Sequence, residues 1–74
     1  MELETLQKII AKVLNVDPLE VTLDTTFSED LGTDSLDLYQ ILVEIEKNQN
    51  IEIPKHSIAT LDTVADLLGI LKKM

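Results

Sequence analysis

Ser35 is the residue whose type and surroundings could do chemistry, within Leu31-Gly32-Thr33-Asp34-Ser35-Leu36-Asp37. Glycine lets a loop turn sharply, and Asp34 and Ser35 are residue types favoured at helix N-termini. The stretch therefore predicts a loop entering a helix, with the serine hydroxyl exposed in the first turn. Unpaired backbone N–H groups and the positive end of the helix dipole lie there, which suits a phosphate ester. The dipole contributes only about 0.3–1 kcal/mol, so it favours an attached phosphate without driving its formation. Ser35 has no evident base, because His56 is the single histidine and nothing in the sequence places it alongside. An esterase using Ser35 would lack both base and pocket. The serine reads as a residue modified by another protein, although an isolated Asp-Ser-Leu is more often a plain helix cap.

The elements that must position this serine follow from periodicity. Leu3, Leu6, Ile10, Val13 and Leu14 recur at helical spacing, with Glu4, Gln7, Lys8 and Lys12 on the other side. That helix ends near Asn15, since Asp17-Pro18 disfavours helix at residue 17. The segment from Val16 to Asp34 reads as a long loop, pinned and ordered by Val21, Leu23, Phe27 and Leu31. A second helix runs from Asp34-Ser35 to about Asn48. Ile51-Glu52-Ile53-Pro54 is a short extended piece, and His56 to Thr60 is one short helical turn. Asp62 or Thr63 caps a last helix carrying Val64, Leu67, Leu68 and Leu71. The expected architecture is an all-α bundle of three main helices plus one short helix, with a long ordered first loop, as one domain over residues 1–74.

Composition narrows the function. With 74 residues the core is small, and it must be aliphatic, since Phe27 and Tyr39 are the only aromatic residues. So small a core argues against a closed catalytic pocket, and for a binding or carrier module. The absence of cysteine excludes disulfides, thiolate metal sites and cysteine nucleophiles. Fourteen acids against six lysines give a net charge of −8. That sign argues strongly against nucleic-acid binding, which needs cations to displace counterions, and points to basic patches on partner proteins. The acids between Asp24 and Asp34 do not match a calcium-binding loop, having Thr26 and Ser28 where carboxylates are wanted; no metal site is expected. No apolar run approaches the roughly 20 residues needed to span a bilayer. The acidic start Met1-Glu2-Leu3-Glu4 is unlike a signal peptide, so a soluble cytoplasmic protein is expected.

The second helix has two apolar lines. Leu38, Ile41, Leu42 and Ile45 at i, i+3, i+4 and i+7 point inward. Leu36, Tyr39 and Val43 form an offset line beside a polar row of Asp37, Gln40, Glu44 and Lys47. Either Tyr39 and Val43 complete the core, or Leu36, Asp37, Tyr39, Gln40, Val43, Glu44, Glu46 and Lys47 make a docking face. Nine acids and no lysine lie between Val13 and Glu46, which favours docking over a merely solvated surface.

Gly32-x-Asp34-Ser35-Leu36-Asp37, then Ile51-Glu52-Ile53-Pro54, then Thr63-Val64-x-Asp66-Leu67 come in an order and spacing that resembles the acyl carrier protein family, over essentially the whole chain. The resemblance implies that Ser35, flanked by Asp34 and Leu36, receives 4'-phosphopantetheine from coenzyme A through a separate phosphopantetheinyl transferase. The thiol of that arm, which this cysteine-free chain lacks, then carries acyl groups as thioesters. Implied partners are the transferase and acyl-transfer and condensing enzymes with basic docking patches; a freestanding monomer is expected. Ile41, Leu42, Ile45, Ile53, Ile58 and Leu67 are candidates to line a cavity for the acyl chain, each buried CH₂ being worth about 0.8 kcal/mol. Housekeeping members usually have acids where this chain has Gln40, Lys47, Lys55 and His56, and an aromatic at Gln49, which points toward a specialised carrier. The competing reading, from another class, is an unmodified acidic helical module that binds and regulates a basic partner.

Overall fold

The computed structural model describes residues 1–73, apart from the Lys55 side chain. Its order is helix α1 (Leu3–Leu14), a 3₁₀ turn (Pro18–Glu20), helix α2 (Ser35–Gln49), a longer 3₁₀ segment (Lys55–Thr60) and helix α3 (Val64–Lys72). No strand occurs among the described residues, so the all-α expectation holds.

Each α-helix ends or begins for a local reason. Asn15 (φ 59°) and Asn50 (φ 54°) adopt the left-handed conformation just past α1 and α2, and their N–H groups return to Ala11 O and Glu46 O. Asparagine tolerates that region better than most residues, so both helices stop there. Thr63, not Asp62, caps α3: its Oγ1 accepts the Asp66 N–H, and the Asp66 carboxylate accepts the Thr63 N–H at 3.0 Å and the Asp62 N–H at 3.1 Å. Those backbone donors hold the Asp66 pKa below its ordinary value.

The first loop is ordered, as expected, but not wholly by the means expected. Val21 and Phe27 are fully buried and Leu31 half-buried, whereas Leu23 is 43% exposed and pins nothing with its side chain. Leu23 serves through its backbone, its carbonyl accepting the Ala65 N–H at 3.1 Å. The Val64 N–H likewise reaches Thr25 O, and the Phe27 N–H reaches Asp62 O, both at 2.9 Å, around a single Thr26–Thr63 antiparallel bridge. Thr25 is buried because its Oγ1 accepts the Thr22 N–H and donates to Glu20 O. Pro18–Glu20 makes a turn where the sequence suggested loop: Asp17 Oδ1 accepts the Leu19 N–H, and Glu20 Oε2 accepts the Asp17 N–H.

One hydrophobic core joins these pieces. Leu6 and Ile10 from α1, Val21 and Phe27 from the loop, four residues of α2, Ile53, and Val64, Leu67, Leu68 and Leu71 from α3 form it. Ile51–Pro54 carries no regular hydrogen-bond ladder; Glu46 Oε2 instead accepts the Ile53 N–H at 2.8 Å.

Candidate functional site

Asp34 is the N-cap of α2 and Ser35 its first helical residue. Asp34 Oδ1 accepts the Asp37 N–H at 2.9 Å, and Asp37 Oδ2 accepts the Asp34 N–H at 3.4 Å. This reciprocal box uses the carboxylates on either side of Ser35 to satisfy the helix terminus. The Ser35 hydroxyl is exposed and makes no hydrogen bond among the described residues; the N–H groups of Ser35 and Leu36 are likewise without acceptors. An exposed hydroxyl beside two outward amide donors and a positive dipole end can carry a phosphodiester. The residues present fit such a group.

The loop leading into this helix is held from inside. Thr33 is buried, and both its N–H (2.8 Å) and its Oγ1 (2.6 Å) donate to the Phe27 carbonyl oxygen. Phe27 is anchored in the core, so Thr33 fixes where Ser35 emerges. Gly32 sits at φ +63°, and no heavy atom approaches within 4 Å of where a Cβ would stand. Only the backbone conformation calls for glycine there. On the other side, Thr26 and Asp30 close the turn, the Thr26 N–H donating to Asp30 Oδ2 and the Asp30 N–H to Thr26 Oγ1.

The two apolar lines of α2 separate as expected. Leu38, Ile41, Leu42 and Ile45 are buried, while Leu36 is 67% and Tyr39 45% exposed and Val43 is half-buried. Leu36, Tyr39, Gln40, Val43, Glu44 and Lys47 line one groove of about 520 Å³ together with Lys12 and Val13 of α1. Asp37 and Glu46 do not line it: their positions on the helix fall to either flank, and Glu46 holds the Ile53 N–H. Of the proposed acyl-lining residues, Ile41, Leu42, Ile45, Ile53 and Leu67 meet in the core, with Ile58 half-buried at its margin. His56 is exposed on the Lys55–Thr60 segment, and the Lys55 side chain lies outside the described residues.

Thr33 is the site residue that the sequence did not announce. A threonine before an Asp-Ser pair looks like loop filler, and its burial depends on the chain folding back onto Phe27, six positions earlier. The role of Glu46 is equally hidden, since the Ile53 N–H that its carboxylate accepts lies beyond the end of its own helix.

Comparison with known proteins agrees with this geometry. Residues 4–71 match the family model described as phosphopantetheine attachment site. An acyl carrier protein of Treponema denticola is 39% identical over 67 residues, covering 90% of this chain and 86% of the relative. One from the phytoplasma of onion yellows is 38% identical over 73 residues, covering 99% and 96%. A solved structure assigned as an acyl carrier protein of Mycobacterium tuberculosis superposes with a TM-score of 0.87 at 28% identity, covering 96% of this chain and 95% of that one. The chain belongs to the acyl carrier proteins, the family whose prosthetic group is 4'-phosphopantetheine.

Proposed function

We propose that this chain, acting over its whole length as one monomeric carrier domain in the cytoplasm, holds acyl intermediates as thioesters on a 4'-phosphopantetheine arm esterified to Ser35 Oγ. The arm supplies the thiol on which acyl groups ride. A separate phosphopantetheinyl transferase installs it from coenzyme A, and acyl-transfer and condensing enzymes of fatty-acid, specialised lipid or polyketide synthesis then use it. The observation that carries the reading is Ser35 itself, an exposed hydroxyl at the first position of α2 with two free amide donors beside it.

Each neighbour has a part. The Ser35 and Leu36 N–H groups steady the phosphodiester charge. Asp34 and Asp37, tied into their box, keep the helix terminus formed while their charge turns the arm outward into solvent. Leu36 presents an apolar contact beside the attachment point to whichever enzyme docks. Ile41, Leu42, Ile45, Ile53, Ile58 and Leu67 are the residues between which a carried acyl chain would insert, at a gain of about 0.8 kcal/mol per buried CH₂. No described helix is long and apolar enough to cross a membrane.

The test is incubation with coenzyme A and a broad-specificity phosphopantetheinyl transferase, followed by intact-protein mass spectrometry. The chain should gain the mass of one arm and the Ser35→Ala variant none. An unchanged mass, or a gain that survives Ser35→Ala, would overturn the assignment.

A further inference from the structure

Half of the six lysines gather at one place. Lys8, Lys12 and Lys47 line a recess of about 370 Å³ between α1 and α2, together with Glu44 and Asn48. It is continuous with the apolar groove, since Lys12, Glu44 and Lys47 line both. On a chain of net charge −8, lysines are expected to neutralise the acids around them. Lys8 does, pairing with Glu4 at 3.4 Å, but Lys12 and Lys47 have no carboxylate within 4 Å among the described residues. Their charges are left facing outward.

The other end of α2 is acidic: Asp34 and Asp37, exposed and half-buried, flank Ser35 in sequence, and Glu29 and Asp30 are exposed in the loop that leads to it. Ser35 and Lys47 are twelve residues apart on one helix, about 18 Å at 1.5 Å per residue. The Debye length at physiological salt is about 8 Å. A docking protein therefore meets two patches of opposite sign, not one averaged field.

We propose that the groove between α1 and α2 is the positive half of the docking face, and that the enzymes this carrier serves place carboxylates against Lys12 and Lys47 while placing cations near Ser35. The inference rests on the carrier reading and names the kind of partner that reading leaves open. Leu36, Tyr39 and Val43 lie between the two patches and supply the apolar contact. A uniformly basic patch, which would suit an acidic carrier face, sets cation against cation at Lys12 and Lys47. The charge order along the face selects against it.

Two synthetic helical peptides with the same apolar stripe test this, one arginine-rich at one end and glutamate-rich at the other, the second arginine-rich at both ends. Each is titrated into the ¹⁵N-labelled full-length protein at physiological salt. The mixed peptide should bind at least about tenfold tighter, which corresponds to about 1.4 kcal/mol. It should shift the amides of Lys12, Tyr39, Val43 and Lys47. The Lys12→Glu/Lys47→Glu variant should reverse the preference while keeping the parent's circular dichroism. Equal or tighter binding of the uniform peptide, or shifts confined to the Ser35 end, would overturn the proposal. So would concentration-dependent shifts at the same amides without peptide, which would assign the groove to a second copy of the chain. Arm loading of the unaltered protein is measured separately, so failure of the docking proposal and failure of the carrier reading are told apart.

Discussion

Replacing Thr33 with valine should loosen the loop that delivers Ser35, and the structure allows the size of the effect to be worked out. The substitution removes the 2.6 Å hydrogen bond from Oγ1 to Phe27 O. That carbonyl keeps the Thr33 N–H at 2.8 Å, so no buried acceptor is stranded and the loss is that of one ordinary bond, about 1 kcal/mol. The incoming methyl does not recover it. A carbon approaches a carbonyl oxygen to roughly 3.3 Å, so the new group must move about 0.7 Å from where the hydroxyl sat. The expected destabilisation is about 1–2 kcal/mol. A chain of 74 residues unfolds with an entropy of about 0.16 kcal/mol/K, so Tm should fall by about 6–12 °C, followed by far-ultraviolet circular dichroism. Thr33→Ser, which keeps the hydroxyl, should stay closer to the parent. The Asp34–Asp37 box is untouched, so arm transfer well below Tm should slow less than tenfold. A valine variant that melts with the parent would refute the idea that this hydroxyl holds the loop.

Gly32→Ala meets no atom but must adopt φ +63°, so equilibrium urea unfolding should show a loss of about 1–2 kcal/mol, with Gly32→Asn milder; equal stability of all three would mean that the loop relaxes away from this conformation. Asp66 has a lowered pKa in the folded chain, so its charge adds stability above the ordinary aspartate value of about 3.9 that is lost as pH falls through the lower folded value. Asp66→Asn should therefore melt below the parent at neutral pH, and the gap should narrow in acid; a gap independent of pH would contradict the linkage. Magnesium or added salt should raise Tm, because nine acids without a lysine lie between Val13 and Glu46, and a melting curve indifferent to both would count against that repulsion.

What the sequence could disclose was whatever is local. The apolar spacing of α1 and α2 marked both helices and their inward faces; Asn15 marked the end of α1, Asp34 the start of α2 and the Asp62-Thr63 pair the start of α3. Ser35 at a helix start was legible because glycine, cap and first turn are consecutive. The Asp17-x-x-Glu20, Asp34-x-x-Asp37 and Thr63-x-x-Asp66 spacings were also there to be read as capping boxes, and the first of them would have disclosed the turn at Pro18–Glu20. The path of the first loop was not legible in the same way. It is fixed by Thr25 and Phe27 pairing with residues near Thr63, almost forty positions away, and a single bridge has no period to detect. Leu23 shows the cost of reading such a segment by side chain alone: it is apolar, yet its carbonyl is the part that binds. Thr33 was silent for a related reason, its partner being a backbone oxygen that only the folded loop brings near.

The bridge between Thr26 and Thr63 ties the start of α3 to the loop that leads into α2. Nine residues are too few to stay helical unaided, so α3 keeps its shape through what it rests on, and part of that support is the stretch from which the attachment helix springs. Transient fraying at the C-terminal end should therefore be felt at the serine, with the amides of Phe27, Val64 and Ala65 exchanging with solvent in concert. A partner that pressed on α3 could in this way slacken the anchorage of its cargo without touching the arm.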